Sequence, residues 1–285
     1  MIKVLVTGAT GFVGNYVIKE LLKHGHHVIA TSSDMGKAEK MQWFSLVEYI
    51  PFDLKHLDSS INYVQFFKNP DLTIHLAWEG LPNYKSTFHL EENLPRHKTF
   101  LKNLIENGLK ELTVTGTCLE YGKHEGSLRE DMEVMPSTSY AIAKNELRIS
   151  LQELQKKYSF SLKWVRLFYM YGEGQNPNSL LSQLDKALQE NRTSFNMSRG
   201  EQTRDYLPIE KVAKHIVKIA LQKNVTGIIN CCSGNPITIK ELVEKYLKDK
   251  NKKIHLILGH YPYPDYEPMH FWGDNSKLKS ILENE

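Results

Sequence analysis

Short apolar runs alternate with longer segments in which apolar residues recur every three or four positions, and the alternation holds over residues 1–170. Ile2-Lys3-Val4-Leu5-Val6 opens the pattern, and residues 15–23 follow with Val17, Leu21 and Leu22 at helical spacing. His27-Val28-Ile29-Ala30-Thr31, residues 47–54, 72–77 and 111–115, and Leu162-Lys163-Trp164-Val165-Arg166-Leu167 complete a set of six predicted strands. Residues 92–107 and 139–157 read as long helices between them. Strands that alternate with helices predict an α/β fold, a doubly wound parallel sheet covered on both faces, with ligands at the carboxyl ends of the strands. Beyond Gly172 the order loosens. Helical spacing near residues 179–190, 210–222 and 238–248 mixes with Pro-, Gly- and Tyr-rich chain, ending in Leu258-Gly259-His260-Tyr261-Pro262-Tyr263-Pro264-Asp265-Tyr266. Such chain suits a smaller substrate-binding lobe.

The first strand runs into Thr7-Gly8-Ala9-Thr10-Gly11-Phe12-Val13-Gly14. Glycines between a strand and a helix permit a tight turn and close approach of backbone to a pyrophosphate. The free N–H groups of the helix start then face the anion. This turn predicts a Rossmann-type dinucleotide site, with residues 1–168 as its domain and residues 169–285 mainly as the substrate lobe, some segments of which return to the sheet. After the second strand an NAD site places a carboxylate on the ribose 2′-hydroxyl; here stand Ser32 and Ser33, with Lys37 close by. Hydroxyls and a cation suit a 2′-phosphate, so NADP(H) is the favoured cofactor. Asp34 keeps NAD(H) open.

Tyr140 and Lys144 in Ser139-Tyr140-Ala141-Ile142-Ala143-Lys144 lie one turn apart on one helical face. A phenol ionises near pH ~10, and a neighbouring ammonium is expected to lower that value. The pair therefore predicts a proton-transferring tyrosine beside the dinucleotide.

Composition narrows the classes. A formal net charge of +3 on 285 residues does not call for nucleic acid, and the basic stretch at residues 245–253 reads as a solvated helix end. No apolar run approaches the ~20 residues of a membrane span, and Met1 leads directly into a strand with no room for a signal peptide. Cys118, Cys231 and Cys232 have no metal-ligand spacing and fit a reducing, cytoplasmic setting.

Taken together, residues 7–14, Asp53-Leu54, His75-Leu76-Ala77, Asn93 before a long helix, Gly116-Thr117 to Tyr121-Gly122, Pro136 to Lys144, Arg166 to Gly172 and Arg204-Asp205-Tyr206-Leu207-Pro208 resemble the NAD-dependent epimerase/dehydratase family, the extended short-chain dehydrogenases/reductases. The likeness covers nearly the whole chain. It implies cofactor contacts at Gly8, Thr10, Gly11, Phe12, Val13, Asp53, Leu54, Leu76, Ala77 and Asn93, besides Tyr140 and Lys144. It places the catalytic Ser/Thr on Thr117, with Lys144 also holding the nicotinamide ribose. Arg204 falls where the family holds the substrate phosphates, with Arg199 a second candidate. Tyr169 stands where the family often has asparagine. A homodimer through the helices from Asn93 and Tyr140 is implied as well.

Family dehydratases carry Thr-Asp-Glu where this chain has Thr117-Cys118-Leu119, and elimination needs such an acid and base. Gly116-Thr117-Cys118-Leu119-Glu120-Tyr121-Gly122 is instead similar to nucleotide-sugar 4-ketoreductases, and Trp78-Glu79-Gly80-Leu81-Pro82-Asn83-Tyr84 extends that likeness. The implied activity is reduction of a C4 ketone on a nucleotide-linked 4-keto-6-deoxyhexose. Trp78, Thr117, Cys118, Glu120 and Tyr169 are then substrate neighbours, Glu120 either accepting a sugar hydroxyl or capping a turn. A 4-epimerase with tightly bound NAD and a non-enzymatic NADP sensor are the alternatives.

Overall fold

In the computed structural model, which describes residues 1–283, the first half of the chain builds β1 (Lys3–Thr7), α1 (Phe12–Lys23), β2 (His27–Thr31), α2 (Met35–Ala38), β3 (Glu48–Tyr49), α3 (Tyr63–Phe66), β4 (Leu72–His75), α4 (Leu94–Glu106), β5 (Glu111–Thr117), β6 (Gly126–Leu128) and α5 (Ser139–Gln155). The second half adds β7 (Ser161–Leu167), β8 (Tyr169–Tyr171), α6 (Leu180–Gln189), β9 (Ser194–Asn196), β10 (Thr203–Pro208), α7 (Ile209–Leu221), β11 (Gly227–Cys231), β12 (Pro236–Thr238), α8 (Ile239–Asp249), β13 (His255–Ile257), β14 (Phe271–Gly273) and α9 (Ser276–Leu282). Seven strands form a parallel sheet in the order β11-β7-β5-β4-β1-β2-β3. The chain winds outward from β1 through β2 to β3, then crosses to β4 and winds the other way. The crevice between the carboxyl ends of β1 and β4 is the switch point where such sheets bind ligands.

Both faces of the sheet are covered: β1 and β2 are apolar over Val4-Leu5-Val6 and Val28-Ile29-Ala30, whereas β4, β5 and β7 also bury Thr73, His75, Thr113, Thr115, Lys163 and Arg166. On one face Val17, Ile18 and Leu21 of α1 pack with Val212, Ile216 and Val217 of α7 against Val4, Val6 and Ile74. On the other, Phe100, Leu101 and Leu104 of α4 and Leu147 and Leu151 of α5 pack on Leu5, Leu112, Val114 and Trp164. Full burial of each such side chain stabilises the fold by roughly 1.5–3 kcal/mol.

Three local departures from the sequence pattern shape the site. The expected strand over residues 47–54 is short: Ile50 N and Phe52 N still bond Ala30 O and Ser32 O, but Pro51 has no N–H and Asp53 caps a turn at Leu54–His56. That turn brings Asp53 and Leu54 to the crevice. The helix expected from residue 92 begins with a wide π-type turn at His89–Asn93, which points His89 and Asn93 inward. β11, to which the sequence pattern assigns no strand of its own, pairs with β7 from the second half of the chain.

The smaller lobe joins β8, β10 and β12 in one sheet and β9 with β13 in another. Leu181 and Leu184 of α6, Phe195, Met197, and Leu242 and Val243 of α8 form its core. β6 pairs with β14, so residues 126–128 belong with the C-terminal part of the chain.

Candidate active site

The glycine turn after β1 has a steric reason at its first member. Gly8 sits at φ +68°, where L side chains are strained, and a Cβ there would stand 2.7 Å from Ala77 N. A Cβ on Gly14 would run into the Gly8 carbonyl, so α1 can lie against the turn only without one. α1 starts at Phe12 with Gly11 as its cap, and no side chain bonds its first-turn N–H groups. Donors left in this way at a helix N-terminus suit a pyrophosphate.

A cavity of about 380 Å³ opens beside this turn at the ends of β1, β2 and β4, lined by Gly8, Thr10, Gly11, Ser32, Ser33, Asp34, Lys37, Asp53, Leu54, Leu76, Ala77 and Asn93. Twelve positions foreseen or weighed for the dinucleotide therefore meet in one place. The Ser32 hydroxyl is already engaged: it accepts from Thr10 Oγ1 at 3.1 Å and lies 2.9 Å from the Tyr49 hydroxyl. The Asp34 carboxylate caps α2 by accepting from Lys37 N at 2.9 Å. These residues fit a nicotinamide dinucleotide, its pyrophosphate at α1 and its adenosine end beside β2.

A second cavity of about 390 Å³ continues from the first, sharing Gly8, Gly11, Leu76 and Trp78. Phe12, Val13, Leu81, Pro82, Tyr84, Thr117, Cys118, Leu119, Tyr140, Phe168, Tyr169, Met170 and Glu267 line it. Tyr140 is held at the start of α5, which Thr138 caps by accepting from Ala141 N at 3.2 Å. Thr117 ends β5 directly across from it. The two hydroxyls converge on one spot in an otherwise largely apolar cleft, as proton transfer to a carbonyl oxygen requires.

The phenol does not behave as expected. Burial is the first cause that pushes Tyr140 above its usual range, with Tyr84 and Glu120 acting in the same direction and the hydrogen bond from Thr117 against it. Lys144 is not among the main influences on the phenol, its ammonium being held elsewhere. Nζ donates to Thr115 O at 2.9 Å and lies 4.1 Å from the centre of the Trp78 ring. Burial lowers Lys144 itself to about 7, with Glu120 opposing.

Three substrate candidates need correction. Glu120 is fully buried and cannot meet a sugar: it accepts from Thr117 N at 2.8 Å, from Trp164 Nε1 at 3.0 Å and from Arg166 Nε at 2.8 Å. It completes the capping box that turns the chain after Thr117, so its part is to place that threonine. Arg204 is also buried, behind the cleft wall. Its Nη1 donates to Thr203 O and Met269 O at 2.9 and 3.0 Å, and its Nη2 to Glu267 Oε2 at 2.8 Å. Arg199 is exposed and lines neither cavity. Trp78, Cys118 and Tyr169 do line the cleft. We expect Glu120→Gln to cost about 3–5 kcal/mol of stability, because Arg166 is left buried without its counter-charge. Urea unfolding checks this, and a loss below about 1 kcal/mol would contradict it.

Sequence reasoning missed Glu267 and a buried histidine set. Glu267 accepts from the Tyr169 hydroxyl at 2.5 Å and, with Arg204, forms a closed charge cluster at the cleft floor. Nothing in the Tyr-Pro-Tyr-Pro segment before it signals an inward carboxylate. His75, His89 and His97 are buried: His75 and His97 share a hydrogen bond, Trp78 stacks on His97, and His89 accepts from Trp78 Nε1. The position of His75 in an apolar strand was the one available sign.

Fold and site together define an enzyme built around a nicotinamide dinucleotide. The model of the NAD dependent epimerase/dehydratase family matches residues 4–232, and the chain belongs to that family. It is 32% identical over 271 residues to dTDP-6-deoxy-L-talose 4-dehydrogenase (NAD(+)) of Aggregatibacter actinomycetemcomitans, covering 95% of this chain and 98% of the relative. It is 26% identical to dTDP-4-dehydro-6-deoxyglucose reductase of Escherichia coli, over 88% of this chain and 82% of that one. Among solved structures, UDP-glucuronic acid 4-epimerase from Bacillus cereus in complex with UDP-glucuronic acid and NAD superposes with a TM-score of 0.84 at 23% identity, over 100% of this chain and 94% of that one. This last likeness is one of fold. No helix among the described residues is long and apolar enough to cross a membrane.

Proposed function

We propose that this enzyme reduces the C4 ketone of a nucleotide-linked 4-keto-6-deoxyhexose, with oxidation of the C4 alcohol as the reverse reaction. The observation that carries the reading is the pairing of Thr117 and Tyr140 over a cleft whose next residues are Cys118 and Leu119. Elimination of water needs an acid and a base at the sugar, and neither Cys118 nor Leu119 supplies one. Phe12, Val13, Leu81, Pro82 and Leu119 instead give the cleft apolar walls, which suit a C6 methyl group. The names of the two relatives, a 4-dehydrogenase and a reductase of dTDP-6-deoxysugars, agree with this substrate class.

In the proposed reaction Tyr140 gives its proton to the carbonyl oxygen while Thr117 donates a hydrogen bond to the same atom. One such positioned donor is worth about 3 kcal/mol in the transition state. Lys144 would hold the ribose of the dinucleotide. A reduced nicotinamide, when bound, supplies the hydride. The raised value means that Tyr140 carries its proton at neutral pH, so the group facing the cleft is a donor and not a phenolate. Following reduced nicotinamide while resolving the sugar products tests the reading: net oxidation of the cofactor supports it, and sugar interconversion without net oxidation overturns it. We further propose a homodimer through the faces of α4 and α5 that frame the groove at Lys102, Leu147 and Leu154.

For the cofactor we propose NAD(H), in place of the NADP(H) suggested by the serines. The Ser32 hydroxyl is spent on Thr10 and Tyr49, while the Asp34 carboxylate lines the cavity where ribose hydroxyls would lie. The dehydrogenase relative is named for NAD(+). We expect kcat/KM to favour NADH over NADPH, and Asp34→Ser, which keeps a capping side chain, to narrow the ratio by about ten-fold or more. An unchanged ratio would remove Asp34 from cofactor choice.

A further inference from the structure

Trp78 stands where the two halves of the cleft meet, and its contacts are unusually determinate. Its ring is stacked on His97, with centroids 4.6 Å apart and planes 18° from parallel. Its Nε1–H donates to His89 Nδ1 at 3.1 Å, which leaves the proton of His89 on Nε2, facing Asn83 O at 3.1 Å. His97 is fixed from behind. Thr7 Oγ1 accepts from Leu76 N and Ala77 N, so its own proton goes to His75 Nδ1 at 2.9 Å, and His75 Nε2–H then donates to His97 Nδ1 at 2.7 Å. Burial keeps both rings neutral, holding His75 down to about 3 and His97 well below its usual value. The indole is therefore clamped by uncharged groups.

Against this clamped ring lies the buried ammonium of Lys144, 4.1 Å from its centre. Thr115 O takes one of its protons. A cation over an indole face, out of water, is held by the ring quadrupole. We propose that Trp78, which lines both cavities, is a positioning residue for Lys144, which lines neither: its ring face holds the buried ammonium 4.1 Å from the wall that the dinucleotide ribose would meet. Tyr140 shares the arrangement, edge to face with the same ring at 6.0 Å. The proposal rests on the assignment of Lys144 to the cofactor made above.

The test uses the full chain and NADH, with affinity read by calorimetry and turnover measured separately. Trp78→Leu should weaken NADH binding by about ten-fold or more, and Trp78→Phe, which keeps a π face, should recover most of that loss. Replacing the four tryptophans with mono-, di- and trifluorotryptophan keeps the shape but drains the ring quadrupole. NADH affinity should then fall with each fluorine in the native chain and stay flat in a Trp78→Phe background. This series decides the matter even where Trp78→Leu fails to fold. A flat series in the native chain, or equal losses in the Leu and Phe variants, would overturn the proposal. Lys144→Ala separates the two layers. If it binds NADH and turns over as the native chain does, the underlying assignment of Lys144 fails; if it is impaired while Trp78→Leu is not, only the role of Trp78 fails.

Discussion

Tyr140→Phe should slow ketone reduction by about a thousand-fold while NADH affinity stays within a few-fold, since a positioned general acid contributes roughly 10²–10⁴ in rate. The variant removes one oxygen and keeps the ring. Its contacts with Trp78, Tyr84 and His89, at centroid distances of 6.0, 5.6 and 5.4 Å, do not need the hydroxyl. The fold around α5 should therefore survive. Thr117 remains as a hydrogen-bond donor to the carbonyl oxygen but has no proton to give up at neutral pH, so it cannot replace the phenol. Single-turnover rates of nicotinamide oxidation, beside calorimetric NADH binding, read the two effects apart. Turnover within ten-fold of the native enzyme would remove Tyr140 from the role of acid. A loss confined to NADH affinity would make it a cofactor contact instead.

Much of this arrangement was legible in the sequence because it follows from local spacing. The turn from β1 into α1 is set by glycines whose absent side chains can be read directly, and Tyr140 and Lys144 share a helical face by arithmetic. The residues that correct the sequence reading act over distance. Glu120 looks like an exposed turn residue until β7 brings Trp164 and Arg166 to it from more than 40 positions away. Arg204 reads as a phosphate ligand until the C-terminal segment lays Glu267 across it, 63 residues on. Lys144 lies one turn from the phenol, yet its ammonium is drawn to Thr115 and Trp78, neither of which lies on its helix. Local periodicity carries no information about such partners. Burial, which sets the proton affinities of both Tyr140 and Lys144, is likewise a property of the assembled sheet and helices.

The other large effect concerns the reaction as a whole. A reductase oxidises one cofactor for each ketone it reduces, whereas an epimerase returns the hydride to the sugar and leaves the cofactor unchanged. Cys118 and Leu119 beside Thr117, and the apolar walls of the cleft, favour a 6-deoxy sugar that arrives as a ketone and leaves as an alcohol. The direct measurement is the stoichiometry between reduced nicotinamide consumed and sugar converted, with dTDP-4-keto-6-deoxyglucose and NADH as reactants and UDP-glucose with NAD as the control pair. One cofactor should be oxidised per 6-deoxyhexose formed, with no interconversion of UDP-glucose and UDP-galactose. Interconversion of those two sugars without net cofactor oxidation, and no consumption of NADH or NADPH with the keto sugar, would contradict the reductase reading.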